Sequence, residues 1–143
     1  MAPRDVVILL VEDNPDHTFF IRLAAERALP DLDVRGVPDG RQCVSYLQGG
    51  APFEDRDEHP FPHLVILDLV MPHLDGFGVL DWIAGQPGLA DLPVVVLTSS
   101  VNPADEARAL SMGARAFHSK PADVLELAAI VAAIVERHVS SNQ

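Results

Sequence analysis

Five side chains of this chain combine in a way that supports phosphoryl chemistry assisted by a metal. Asp68 directly follows the apolar run Leu64 to Leu67, and the acidic pair Glu12 and Asp13 directly follows the apolar run Val6 to Val11. Thr98 closes a third apolar run that begins at Val94, and Lys120 follows a short fourth one. Carboxylates gathered on one edge repel one another and tend to raise one another's pKa. A divalent cation removes that conflict, and an oxygen-only donor set with retained waters suits Mg²⁺ or Mn²⁺ rather than zinc. Because Mg²⁺ is commonly held by one or two carboxylates together with phosphate oxygens, the expected substrate carries phosphate.

These residues need a scaffold that brings separate strand ends together. Apolar runs of strand length alternate with segments of helical period, the pattern of a parallel sheet with crossover helices. The expected strands are Val6 to Val11, Asp33 to Val37, Leu64 to Leu67, Val94 to Thr98 and Arg115 to His118. A helix start follows each: Asn14 with Pro15, Asp39 with Gln42, Asp75, Asn102 with Pro103, and Asp123 with Glu126. The second and fifth have the spacing of capping boxes. Strands one, three and four are continuous Val/Ile/Leu runs, as burial of both faces demands, whereas two and five are mixed and belong at the edges. The doubly wound order 2-1-3-4-5 meets that condition with right-handed crossovers. It sets strands one and three together at the switch point, where ligands bind beyond the strands' carboxyl ends.

Composition narrows the function further. The 143 residues suit a single domain, 48% of them are hydrophobic and 22% charged, and the net charge of −11 with no basic stripe argues against a nucleic-acid partner. The longest apolar run is about six residues against the roughly 20 needed to cross a bilayer, and no signal-peptide pattern opens the chain. A cytoplasmic protein that does not enter a membrane is the expectation. Cys43, the single cysteine, excludes an intrachain disulfide and reads as packing on a helix face with Val44 and Leu47.

The acidic pair Glu12 and Asp13, the segment Asp68 to Gly76, Thr98, and Lys120 with Pro121 resemble the response-regulator receiver domain of CheY-like fold, over nearly the whole chain. The resemblance implies that Asp68 is a phosphoacceptor that takes a phosphoryl group from the phosphohistidine of a sensor histidine kinase. It implies Mg²⁺, replaceable by Mn²⁺, held by Asp13, Asp68 and the backbone carbonyl of Val70, with Glu12 acting through a water. Lys120 and the Thr98 hydroxyl would contact phosphoryl oxygens. Thr98 and Phe117 would form the switch, Phe117 lacking the hydroxyl that many relatives carry there. Such a protein is no enzyme beyond its own phosphorylation and dephosphorylation. With only His138 to Gln143 after the last helix, the expected organisation is one receiver spanning 1–143 with no output domain.

Partners are addressed by two further segments. The connection from Gln48 to His63 is sixteen residues long, where such connections typically take about 2 to 6. It reads either as a solvated loop or as a partner contact. Its length resembles response regulators that work with phytochrome histidine kinases, and its His59 and His63 lack the further ligands a metal site would need. From Val124 to Val135, eleven of twelve residues are apolar. Val124, Leu127, Ile130, Val131, Ile134 and Val135 form a stripe expected to face the sheet. Leu125, Ala129, Ala132 and Ala133 form a second stripe on the back, expected to be an interface for a homodimer or for kinase docking.

Three competing readings are weighed against this one. A haloacid-dehalogenase-type phosphatase needs a second Asp where this chain has Val70, and a flavodoxin-type module would find its phosphate repelled by Glu12 and Asp13. A phosphate sink with no output uses the same residues. Val70 also offers no polar atom to align an attacking water, so the phosphoryl state is expected to be long-lived. Val70→Asn should therefore shorten the life of the acyl phosphate in a timed loss assay, and an unchanged lifetime would refute the assignment.

Overall fold

Described residues in the computed structural model are 6–71, 73–100 and 102–139. They form β1 (Val6–Val11), α1 (Pro15–Ala28), β2 (Leu32–Val37), α2 (Gly40–Gln48), β3 (Leu64–Leu67), α3 (Gly76–Ala84), β4 (Val94–Thr98), α4 (Pro103–Ser111), β5 (Ala116–Ser119) and α5 (Val124–Val139). The strands make one parallel sheet in the order β2-β1-β3-β4-β5, as the alternation of apolar runs and caps predicts. Every residue of β1, β3 and β4 is buried, while β2 alternates and β5 is half-covered. Three strand boundaries differ from expectation by one residue each. β2 begins at Leu32, fully buried opposite Val6, and β5 runs from Ala116 to Ser119 because its last pairing is Ser119 with Thr98.

Two apolar layers enclose the sheet. On one side Ile8, Leu10, Ile66 and Leu97 meet Ile21 and Ala25 of α1 and Val131, Ile134 and Val135 of α5. On the other, Leu9, Val11, Val65 and Val96 meet Cys43 and Tyr46 of α2, Val79 and Leu80 of α3, and Ala109 of α4. Alternate residues of each strand serve opposite layers, which is why the central strands must be apolar throughout. Cys43 is fully buried, and burial pushes its thiol up to about 12, consistent with a packing role. Among the described residues no helix is long and apolar enough to cross a membrane.

All five expected caps form. Asn14 Oδ1 accepts from the amides of Asp16 and His17, Asp39 from Gln42, Asp75 from Gly78, Asn102 from Ala104, and Asp123 from Leu125 and Glu126. α5 turns Leu127, Val131, Ile134 and Val135 inward as expected, but Val124 is 51% exposed. It is the first residue of the helix. On the opposite face Leu125 is 79% exposed, Ala129 and Ala133 are exposed and Ala132 is half-buried.

The long connection is anchored to the domain at several points, although most of its residues are exposed. α2 stops at Gly49, whose left-handed φ of 73° suits glycine and lets its amide close on Ser45 and Tyr46 carbonyls. The Arg56 guanidinium lies 5.7 Å from the Tyr46 ring centre and 5.6 Å from that of Phe61, and donates to the carbonyls of Leu47 and His59. The Tyr46 hydroxyl donates to Pro60 O at 2.8 Å, and the Phe53 and His59 rings pack on Tyr46. His63 Nδ1 accepts from the Val7 amide, so this histidine closes the loop against β1.

Candidate functional site

The sheet places the acids before any side chain is considered. Val11 pairs with Leu67, and the ladder continues one residue further: Asp68 N–H donates to Val11 O and Glu12 N–H to Val37 O, each at 3.1 Å. Lys120 N–H donates to Thr98 O at 2.7 Å beyond the β4 to β5 pairing. Backbone bonds thus hold Glu12, Asp68 and Lys120 at the carboxyl ends of the strands, around the switch point.

Asp68 is buried at 5% exposure. Its Oδ1 accepts from the Thr98 hydroxyl at 2.8 Å and from the Val70 amide at 3.2 Å, and its Oδ2 accepts from Lys120 Nζ at 3.1 Å. Glu12, 4% exposed, accepts from Lys120 through Oε1 and from the Asn14 amide through Oε2. Burial is the main reason the Glu12 carboxyl is raised above its ordinary value; Lys120 and the Asn14 amide oppose that shift, and the Asp68 charge adds to it only weakly. For Glu12, repulsion from Asp68 is therefore secondary to desolvation.

Asp13 is exposed at the rim. Glu12, Asp13 and Asp68 each turn an oxygen into the same space, all within 4.8 Å of one another. Three carboxylates against the single Lys120 ammonium leave two formal negative charges uncompensated, and oxygen donors alone suit a hard divalent cation. The residues present therefore fit such an ion. They floor a cleft of about 540 Å³ whose lining also includes His17, Val70, Ser99, Ser100 and Asp105.

Of the sequence-predicted residues, Glu12, Asp13, Asp68, Val70 and Lys120 line this cleft, and Thr98 bonds Asp68 from a fully buried position. Phe117 pairs with Val96 in the sheet and packs half-buried on the apolar layer outside the cleft lining. The stripe of Leu125, Ala129, Ala132 and Ala133 lies on α5, apart from it. Beyond Ser99, Ser100 and Asp105 of the cleft lining, two residues near the acids went unassigned in sequence. His17 Nδ1 lies 2.9 Å from Lys120 Nζ, and its only signal was its place in the first turn after the Asn14 cap. Gly76 opens α3 beneath the Asp68 loop, where an added Cβ would stand 2.5 Å from Asp68 O and 2.7 Å from Leu69 Cα. Only glycine permits that approach.

The response regulator receiver domain family matches residues 8–132. The chain is 34% identical to FilR2 of Methanothrix harundinacea, described as a "probable methanogenesis regulatory protein", over 96% of this chain and 86% of that one. It is 31% identical to the response regulator Rcp1 of Synechocystis sp. over 90% of this chain and 85% of Rcp1, and the Mn²⁺-bound crystal structure of Rcp1 superposes with a TM-score of 0.83, covering 92% of each chain. The crystal structure of the phosphorylated cyanobacterial phytochrome response regulator RcpA is similar at 32% identity and a TM-score of 0.87, covering 95% of each chain.

Mg²⁺ should raise the melting temperature of this protein, because a ligand that binds only the native state stabilises it by mass action. Asp13→Asn should need about tenfold more Mg²⁺ for the same rise, given what loss of a metal-supporting group typically costs. An unchanged requirement in thermal melts would remove Asp13 from the cation site.

Proposed function

This chain belongs to the response regulator receiver domain family of two-component systems, and from that premise we propose that Asp68 is its phosphoacceptor, charged by the phosphohistidine of a sensor histidine kinase. The observation that carries the reading is the buried Asp68 carboxylate, held by Thr98 on one oxygen and Lys120 on the other at the floor of an open cleft.

The chemistry follows from the donors around each oxygen. Asp68 Oδ1 has two donors and Oδ2 has one, so Oδ2 is the less encumbered nucleophile. Its attack on phosphorus forms a P–O bond as the P–N bond to the kinase imidazole breaks, leaving an acyl phosphate and a free histidine. Lys120 then moves its N–H from Oδ2 to a phosphoryl oxygen, and the Thr98 hydroxyl is near enough to leave Oδ1 for another. Both donors stand in place before the reaction, as electrostatic catalysis of phosphoryl transfer requires. Asp13, Asp68 and the Val70 carbonyl, with Glu12 through a water, would hold Mg²⁺, for which Mn²⁺ could substitute; when bound, it neutralises charge on the phosphoryl oxygens. Departure of Thr98 from Oδ1 shifts the end of β4, and Phe117, on the neighbouring strand, is the proposed reporter of that shift.

We assign a phytochrome histidine kinase as the upstream partner, supported by the likeness to the phytochrome response regulator RcpA. The exposed stripe of α5, with Leu125, Ala129, Ala132 and Ala133 and no Lys or Arg from Val124 to Val135, is the proposed contact between two copies of the chain.

Incubation with acetyl phosphate and Mg²⁺ should add one phosphoryl group by intact mass, and Asp68→Asn should abolish the adduct. Catalytic turnover of phosphate esters without an adduct would instead indicate a phosphatase. Ala132→Arg should weaken self-association in sedimentation; a wild type that stays monomeric at high concentration, with and without beryllofluoride, would refute the α5 contact.

A further inference from the structure

We infer that His17 is a positioning residue for Lys120, holding the ammonium towards the mouth of the cleft by accepting its third N–H. This rests on the phosphoacceptor reading of Asp68. A lysine ammonium has three donors and no acceptor. In this chain its three neighbours are Glu12 Oε1, Asp68 Oδ2 at 3.1 Å and His17 Nδ1 at 2.9 Å. Since the ammonium can only donate, Nδ1 presents its lone pair and the ring carries its hydrogen on Nε2.

The three acceptors are not equivalent. Glu12 and Asp68 lie buried on the floor, whereas the His17 side chain is 40% exposed and stands in the wall of the cleft on the first turn of α1. With carboxylates as its only partners, the ammonium would be drawn down onto the floor. A neutral acceptor on the wall balances that pull without adding another negative charge where a phosphoryl group must enter. The position of His17 is itself fixed, because its backbone amide donates to Asn14 Oδ1 and the Asn14 amide donates to Glu12 Oε2. When Lys120 gives up Asp68 for a phosphoryl oxygen, Glu12 and His17 still hold its nitrogen in place. The transition state therefore gains its counter-charge with little reorganisation.

The test follows the initial rate of phosphoryl-adduct formation on the full chain with saturating acetyl phosphate and Mg²⁺. His17→Ala should slow it about tenfold, the loss typical of one hydrogen bond to a charged group. His17→Asn, whose amide oxygen can stand close to the place of Nδ1, should recover most of the rate. A wild-type rate in His17→Ala, or an equal loss in both variants at unchanged melting temperature, overturns the assignment. The ¹⁵N spectrum of wild-type His17 checks it independently of how the variants fold: a protonated Nδ1 overturns it. A wild type that takes no phosphoryl group overturns the phosphoacceptor reading instead, while a protonated Nδ1 still overturns the contact of His17 with Lys120.

Discussion

The buried ammonium of Lys120 between Glu12 and Asp68 is the interaction on which the rest of the structure depends. Two carboxylates at 4% and 5% exposure lose most of their hydration, a cost that protein burial repays only through close partners of opposite charge. Lys120, its side chain 7% exposed, supplies that partner to both. Removing it would leave two desolvated anions unpaired, which typically costs about 3 to 5 kcal/mol. The cluster nevertheless keeps an excess of negative charge once Asp13 is counted, so it is stable enough to fold and still under-neutralised. That imbalance is what suits it to a divalent cation.

Sheet topology makes this arrangement possible. β1 and β3 are adjacent only because the chain reverses its winding direction between them, and the crossover helices leave the space above their ends uncovered. The polar groups then sit on a floor of close-packed Val, Ile and Leu. The connections above that floor are tied down by short bonds of their own, such as Ser100 Oγ to Asp105 at 2.6 Å and the Asn14 cap of α1. Two routes lead outward from the acids. One runs from Asp68 through Thr98 to the end of β4 and across to β5 and Phe117; the other runs from Lys120 through His17 to the first turn of α1.

The segment 49–63 solves a separate problem. It carries five charged residues in succession, from Glu54 to Glu58, which by composition alone belong in water. Arg56 turns that run inward at a single point by lying over two aromatic rings and capping two carbonyls. The acids on either side stay exposed, so the loop is anchored to α2 and still presents a negative surface.

The sequence by itself determined the strand order, the five helix starts and the identity of the acids, Thr98 and Lys120. Each is a local signal: apolar runs bury both faces, caps satisfy orphan amides within three residues, and a polar residue ending such a run must sit at a strand's carboxyl end. Which side chains touch was decided by tertiary structure. His17 meets Lys120 across 103 residues of chain, and no spacing rule links them. The exposure of Val124, the glycine required at position 76 and the burial that raises Glu12 likewise arise where separate elements meet. Helical period gives the direction of a side chain but not whether anything lies beneath it, and residue type gives a charge but not the water it has lost.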